Sequence, residues 1–233
     1  MAYRYDHDLE FLRSVPNESL NNLVNLFKEK ASLTEGLSKN DKYKQYYPDH
    51  QKYIERIMEE IQLFGGNSIV NLFRGNQGVQ YKEILCDVCD EMKVNYSKNA
   101  DVKQIEQDLL IKFMNDHLKE LGPRELGEFL KELDLVDETK TAISYTPQTA
   151  SAILQTAIRD GGFKIILQSV NIIWKSLFGK GLTFTTNASI EGIVGIATGR
   201  WATAAYLTGP AYRVTIPMCL LIGILRAESQ QNN

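Results

Sequence analysis

Apolar residues recur at helical spacing along almost the entire chain, and nowhere does strict apolar–polar alternation last beyond a few residues. Leu20, Leu23, Val24 and Phe27 follow the i, i+3, i+4, i+7 pattern. Tyr53, Ile54, Ile57, Met58 and Ile61 repeat it behind Pro48-Asp49, where Asp49 is expected to cap the first turn and Gly65-Gly66 to close the last. Further stripes follow: Tyr81, Ile84, Leu85, Val88 and Met92; then Val102, Ile105, Leu109 and Phe113, a long helix stopped near Gly122-Pro123; then Leu126, Phe129, Leu130 and Leu133. The spacing predicts an all-α protein, a multi-helix bundle. With 233 residues the chain can bury a full core without metal or disulfide staples.

The polar stretch 137–151, rich in Thr and Ser, reads as a linker, and Thr146-Pro147 reads as a helix start. Three regions are therefore expected: an amino-terminal helical hairpin over 1–35, an acidic central helical domain over 36–140, and an apolar, basic helical region over 141–233. Charge follows the same division. Residues 1–140 hold 19 basic against 26 acidic residues, a net of −7, whereas residues 141–233 hold 7 against 3, a net of +4. The later basic residues, Arg159, Lys164, Lys175, Lys180, Arg200, Arg213 and Arg226, are scattered singly, so no nucleic-acid-binding stripe is present and nucleic acid is not an expected partner.

No catalytic constellation is legible. His7, His50 and His117 stand at unrelated spacings, and neither a nucleophile elbow nor a metalloprotease motif occurs, which points to a protein that is not an enzyme and needs no cofactor. Cys86 and Cys89 form the single C-x-x-C. A structural zinc needs a second pair, and a redox pair belongs at a helix start after a strand, so free thiols without metal are expected. Cys89 falls at the edge of an apolar stripe and Cys86 on a polar face. The glycine-bearing segment 64–85, with Arg74 beside Gly75 and Gly78, lacks the ending of a phosphate-binding loop; helix ends and a tight turn explain it more simply, although Arg74 remains an interaction candidate. An odd cysteine count and a start carrying early acidic residues place the protein in a reducing cytoplasm.

The tail poses the sharpest physical question. From Trp201 to Leu225 the only charge is Arg213, with prolines at 210 and 217. Its eight Leu, Ile and Val residues favour membrane insertion by about −4 kcal/mol in all, whereas a central arginine costs roughly +2.5 to +3.5 kcal/mol. Arg213 therefore decides the matter: a buried helix, a protein interface or a reversible contact with the inner face of the membrane is favoured over a stable span. Trp201 and Tyr212 suit such an interface. At the other end, the opening AYRYDHD is read as an interaction surface with Arg4, Tyr5 and Asp6 as candidates: Asp8 caps a helix beginning at Leu9, while Arg4 and Asp6 are left free to bind or to pair with each other.

Five blocks, AYRYDHDLEFL at 2–12, YPDH at 47–50, EIQLFGGNSIVNLFRG at 60–75, YKEILCDVCDEMKVNY at 81–96 and GPAYRVTIP at 209–217, resemble in the same order the YaaW-like family of uncharacterised bacterial proteins. The resemblance implies a short amino-terminal module also found in stress and conflict systems, and a central helical region similar to the ubiquinol-cytochrome c chaperone domain. It brings no activity and no catalytic residues. The expectation is a cytoplasmic, non-enzymatic chaperone-like or adaptor protein with a protein partner or a membrane-surface contact. A membrane-perturbing effector using the tail, and an unrecognised hydrolase, are the alternatives.

Overall fold

The computed structural model describes residues 3–29, 36–66, 78–137, 145–178, 181–182 and 212–231. All regular elements among these residues are helical, with no strand. A 3₁₀ turn, Glu10–Ser14, precedes α1 (Asn17–Glu29), α2 (Gly36–Lys39) and α3 (Asp41–Tyr46). A second 3₁₀ turn, His50–Tyr53, leads into α4 (Ile54–Gly66). Then come α5 (Tyr81–Glu91), α6 (Val102–Glu120), α7 (Pro123–Glu132), α8 (Pro147–Gly161), α9 (Phe163–Phe178) and α10 (Tyr212–Gln231).

Two compact units divide the chain, and the division is not the expected one near residue 140. The first takes in Met1–Leu109 and α10; the second takes in Leu110–Leu182. The physical reason is α10. Every residue from Val214 to Leu225 is buried, on all sides of the helix, so it has no polar face to turn to water. It needs surrounding helices, and α1, α4, α5 and the first 3₁₀ turn supply them. Leu220, Leu221, Ile222, Ile224 and Leu225 each gain about 1.5–3 kcal/mol from such burial, enough to hold a helix interrupted by Pro217, whose missing N–H deprives the Arg213 carbonyl of its ordinary partner.

Around α10 the expected stripes do face inward. Leu9, Leu12, Leu20, Leu23 and Phe27 are buried, with Phe27 stacked on Phe64 at 5.1 Å between ring centres. Asp49 does not cap as expected. Its carboxylate accepts from Asn17 Nδ2 (3.1 Å) and pairs with Lys52, because the chain after it makes a 3₁₀ turn in which no side-chain cap forms.

Within the second unit, Glu125 accepts from the Gly122 N–H at 2.7 Å at the start of α7, the one half of a capping box that a glycine N-cap allows, ahead of Pro123 at the first helical position. Thr146 caps α8 through the Thr149 N–H, and Pro147 follows it, as its sequence predicts. Helix α8 ends at Gly162, whose φ of +62° and ψ of −145° belong to a region open only to glycine. Phe129, Leu130, Leu154, Val170 and Ile173 fill the interior of this unit.

Candidate functional site

Residues 3–8 form no regular element, yet the backbone of Arg4, Tyr5, Asp6 and Asp8 is fastened by hydrogen bonds. Asp6 organises the segment. Its carbonyl accepts from the Leu9 N–H (3.0 Å) and its Oδ1 from the Asp8 N–H (3.0 Å), the local turn that aspartate favours. Its Oδ2 accepts from the Tyr81 N–H at 2.7 Å. Tyr81 is the first residue of α5, whose N-cap, Gln80, offers no side-chain bond. A carboxylate from 75 residues away thus satisfies an orphan helix donor and places negative charge at the positive end of the helix dipole. This corrects two expectations: Asp8 caps no helix, since the turn after it is a 3₁₀ turn without a side-chain cap, and Asp6, only 2% exposed, is committed to the fold.

Gln62 fastens the neighbouring step. Buried in α4, it accepts from the Arg4 N–H (3.1 Å) and donates to the Arg4 carbonyl (2.8 Å), reading the backbone as a paired strand would. Gly78 allows the opposite approach: a β-carbon there would meet the Gln62 Cβ at 2.9 Å, too close for any side chain. Gln80 Nε2 donates to the Tyr5 carbonyl (3.4 Å), and Tyr3 accepts from the Asp6 N–H (3.0 Å) while donating to Glu10 (2.9 Å). The side chains of Arg4 and Tyr5 are left facing solvent. Tyr5, 66% exposed, is the most exposed large apolar-bodied residue described.

Beneath the segment lies a buried ionic cluster. Arg226 of α10 donates through Nε to Glu106 Oε2 (2.7 Å) and through Nη2 to the Asp8 carbonyl (2.6 Å), with its guanidinium 4.1 Å from the centre of the Phe11 ring. The other oxygen of Glu106 accepts from the Tyr81 hydroxyl at 2.9 Å. Burial pushes the Glu106 carboxyl up from its ordinary value, against the pull of Arg226 and Tyr81. Nearby, Ser19 of α1 donates to Glu228 of α10 at 3.2 Å.

Arg4, Tyr5 and Asp6 are therefore brought together, two as presented side chains and one as the anchor beneath them. Tyr212 and Arg213 begin α10, with their side chains outside what is described; Arg74 and Trp201 lie outside the described residues. Glu106, Tyr81, Gln62 and Arg226 are the residues that sequence reasoning missed. Their partners are 25 to 218 positions away, and no local pattern marks such pairs.

The described residues bring together no nucleophile and base. His50 is spent on Tyr53 and on Asn21 Oδ1 (3.3 Å), and burial holds His117 down at about 4. No group of three or more His, Cys, Asp or Glu among the described residues could hold a metal ion. Cys89, expected at the edge of the apolar stripe, is fully buried, and Cys86, expected on the polar face, is half-buried; both are free, and burial pushes the Cys89 thiol up to about 12, far from a reactive thiolate.

Residues 3–28, the fastened segment with the 3₁₀ turn and nearly all of α1, match the model of DUF3944, a domain of unknown function. The whole chain is 40% identical to a UPF0174 protein of Helicobacter pylori strain J99, covering 96% of it. It is 35% identical to one from strain 26695, over 84% of this chain and 98% of that protein. To the UPF0174 protein YaaW of Escherichia coli K12 it is 31% identical, over 96% of this chain and 95% of that protein. No solved structure matches.

Proposed function

The chain belongs to the UPF0174 family, and we propose that it works by binding, as a cytoplasmic adaptor or chaperone-like protein without catalytic activity, docking a protein partner through Arg4 and Tyr5. One observation carries this reading: the backbone of residues 4–6 is held by Gln62, Gln80 and the Asp6–Tyr81 bond, while the two side chains in between face water. Tyrosine and arginine are the residues that most often dominate binding energy, and a fixed backbone reduces the ordering cost of docking them. Elsewhere the fold keeps its large apolar groups inside, with Tyr47 the other exposed one described.

The membrane-perturbing alternative has less support. No described helix is long and apolar enough to cross a membrane, and the apolar residues of α10 are spent on the core of the first unit. A peripheral contact with the inner face of the membrane stays compatible with the adaptor reading. The test is a benzophenone amino acid placed at position 5 in the native host, with the same group at exposed Asn99 as control. We expect a discrete cross-link from position 5 that Arg4→Ala removes and that is absent from position 99. Cross-linking that is equal from both positions, or a large loss of folding stability in Tyr5→Ala, would make the segment structural and end the proposal.

A further inference from the structure

Among the described residues the exposed Arg4 guanidinium makes no hydrogen bond or ion pair, whereas Arg13, Arg56, Arg124 and Arg226 are each paired with a carboxylate. The two bonds that reach Arg4, both with Gln62, are to its backbone N–H and carbonyl. The fold thus fixes where the side chain starts and leaves its charge unspent. Tyr5 beside it is 66% exposed, with its carbonyl held by Gln80.

What this pair can recognise follows from charge and from the donors left over. A guanidinium offers a planar fork of N–H groups that matches a carboxylate. One cation neutralises one carboxylate, and the surroundings favour nothing more highly charged: residues 1–109 hold 14 basic and 18 acidic residues, a net of −4, which disfavours a polyanion at this surface. Phosphate groups and chain-terminal carboxylates are held by several backbone N–H groups acting together. Here the N–H groups of Arg4, Asp6, Asp8 and Leu9 are already given to Gln62, to Tyr3 and, for the last two, to Asp6. That leaves the guanidinium as the donor. The Tyr5 ring adds an apolar face with a hydroxyl at its edge, which suits an apolar side chain next to the acid.

We propose that Arg4 takes the side-chain carboxylate of a single Asp or Glu in a short segment of a partner protein, with Tyr5 packing on an aromatic or branched apolar residue beside that acid. This rests on the adaptor reading and names the chemistry of its partner. Selection of short random peptides displayed on phage against the immobilised full chain tests it, followed by binding of the enriched peptides in solution. Enriched peptides should share one Asp or Glu next to an aromatic or branched apolar residue.

Changing that acid to its amide, or Arg4→Ala in the protein, should weaken binding about tenfold or more, because a charged hydrogen bond is lost. The melting temperature of the Arg4→Ala chain should not move, since the side chain holds nothing in the fold. Arg4→Lys keeps the charge without the fork and should recover only part of the loss. Binding that falls with Tyr5→Ala yet ignores Arg4→Ala or the acid would overturn the carboxylate assignment and leave the docking reading standing. Displacement of the peptides by phenyl phosphate at lower concentration than by phenylacetate would contradict it too, in favour of a phosphate. No enrichment, or binding indifferent to both side chains, would also overturn it, and the cross-link from position 5 then decides whether the docking reading survives.

Discussion

Asp6 does for α5 what no residue beside that helix does. Because its carboxylate holds a buried backbone donor as well as its own turn, Asp6→Ala leaves the Tyr81 N–H without its acceptor and should cost about 1–3 kcal/mol in urea unfolding. Asp6→Asn keeps an acceptor and should cost less. Equal stability of Asp6→Ala and the natural chain would mean that the cap is idle.

His117, buried beside Phe129, makes a second prediction at this scale. Its folded value of about 4 lies below the ordinary 6.5, so the unfolded chain takes up the proton first and stability falls as pH drops from the ordinary value towards 4. Between pH 7 and pH 5 the loss amounts to about 2 kcal/mol. Half-buried Glu132 works in the opposite sense: burial raises it to about 7, so its contribution is present at low pH and lost as pH rises through that value. The readout is therefore the difference between the natural chain and a variant. His117→Leu should be less sensitive to acid than the natural chain, and Glu132→Gln more so. A His117→Leu profile parallel to the natural one would contradict the assignment.

At the scale of elements, α10 decides the architecture. Glu106→Gln leaves Arg226 charged and buried without its counter-ion, and removing one partner of such a pair costs about 3–5 kcal/mol. Replacing both, Glu106→Leu with Arg226→Met, should recover most of that loss, because an apolar pair escapes the desolvation penalty. Chemical denaturation of Glu106→Leu, of Arg226→Met and of the double gives the coupling; additive losses would mean that the pair is not a unit.

The amphipathic helices were legible in the sequence because each has one dry face and one wet face. Helix α10 was legible in part: its one central charge favoured a buried helix, a protein interface or a reversible membrane contact over a stable span. A helix buried all round and a membrane-seeking helix carry the same uninterrupted apolar pattern, however, so the core it packs into left no mark. Arg213, in the middle of that run, drew attention as the deciding charge. Arg226, just beyond it, looked like an ordinary flanking residue and is the one built into the core. The candidate site was legible in place, at Arg4 and Tyr5, but not in mechanism. Asp6 looks like a free carboxylate because its partner is a backbone amide 75 residues later, and backbone partners leave no trace in side-chain spacing.

At the scale of the molecule, the stretch matching the family model, residues 3–28, draws its supports from the rest of the first unit. Asp6 leans on α5, Arg4 on α4, Asp8 and Ser19 on α10. A docking segment tied this way stays in shape only while α10 stays in the core, so the apolar carboxy-terminal helix supports the surface at the opposite end of the chain. Hydrogen exchange of the full-length protein, read by mass spectrometry with and without anionic lipid vesicles, tests this most directly. The amides of residues 218–228 and of Tyr81 should be among the slowest to exchange, opening only with the first unit as a whole, and vesicles should leave them unchanged. Rapid exchange in 218–228, or protection there that changes when vesicles are added while Tyr81 stays protected, would show that α10 is not the support of the amino-terminal segment.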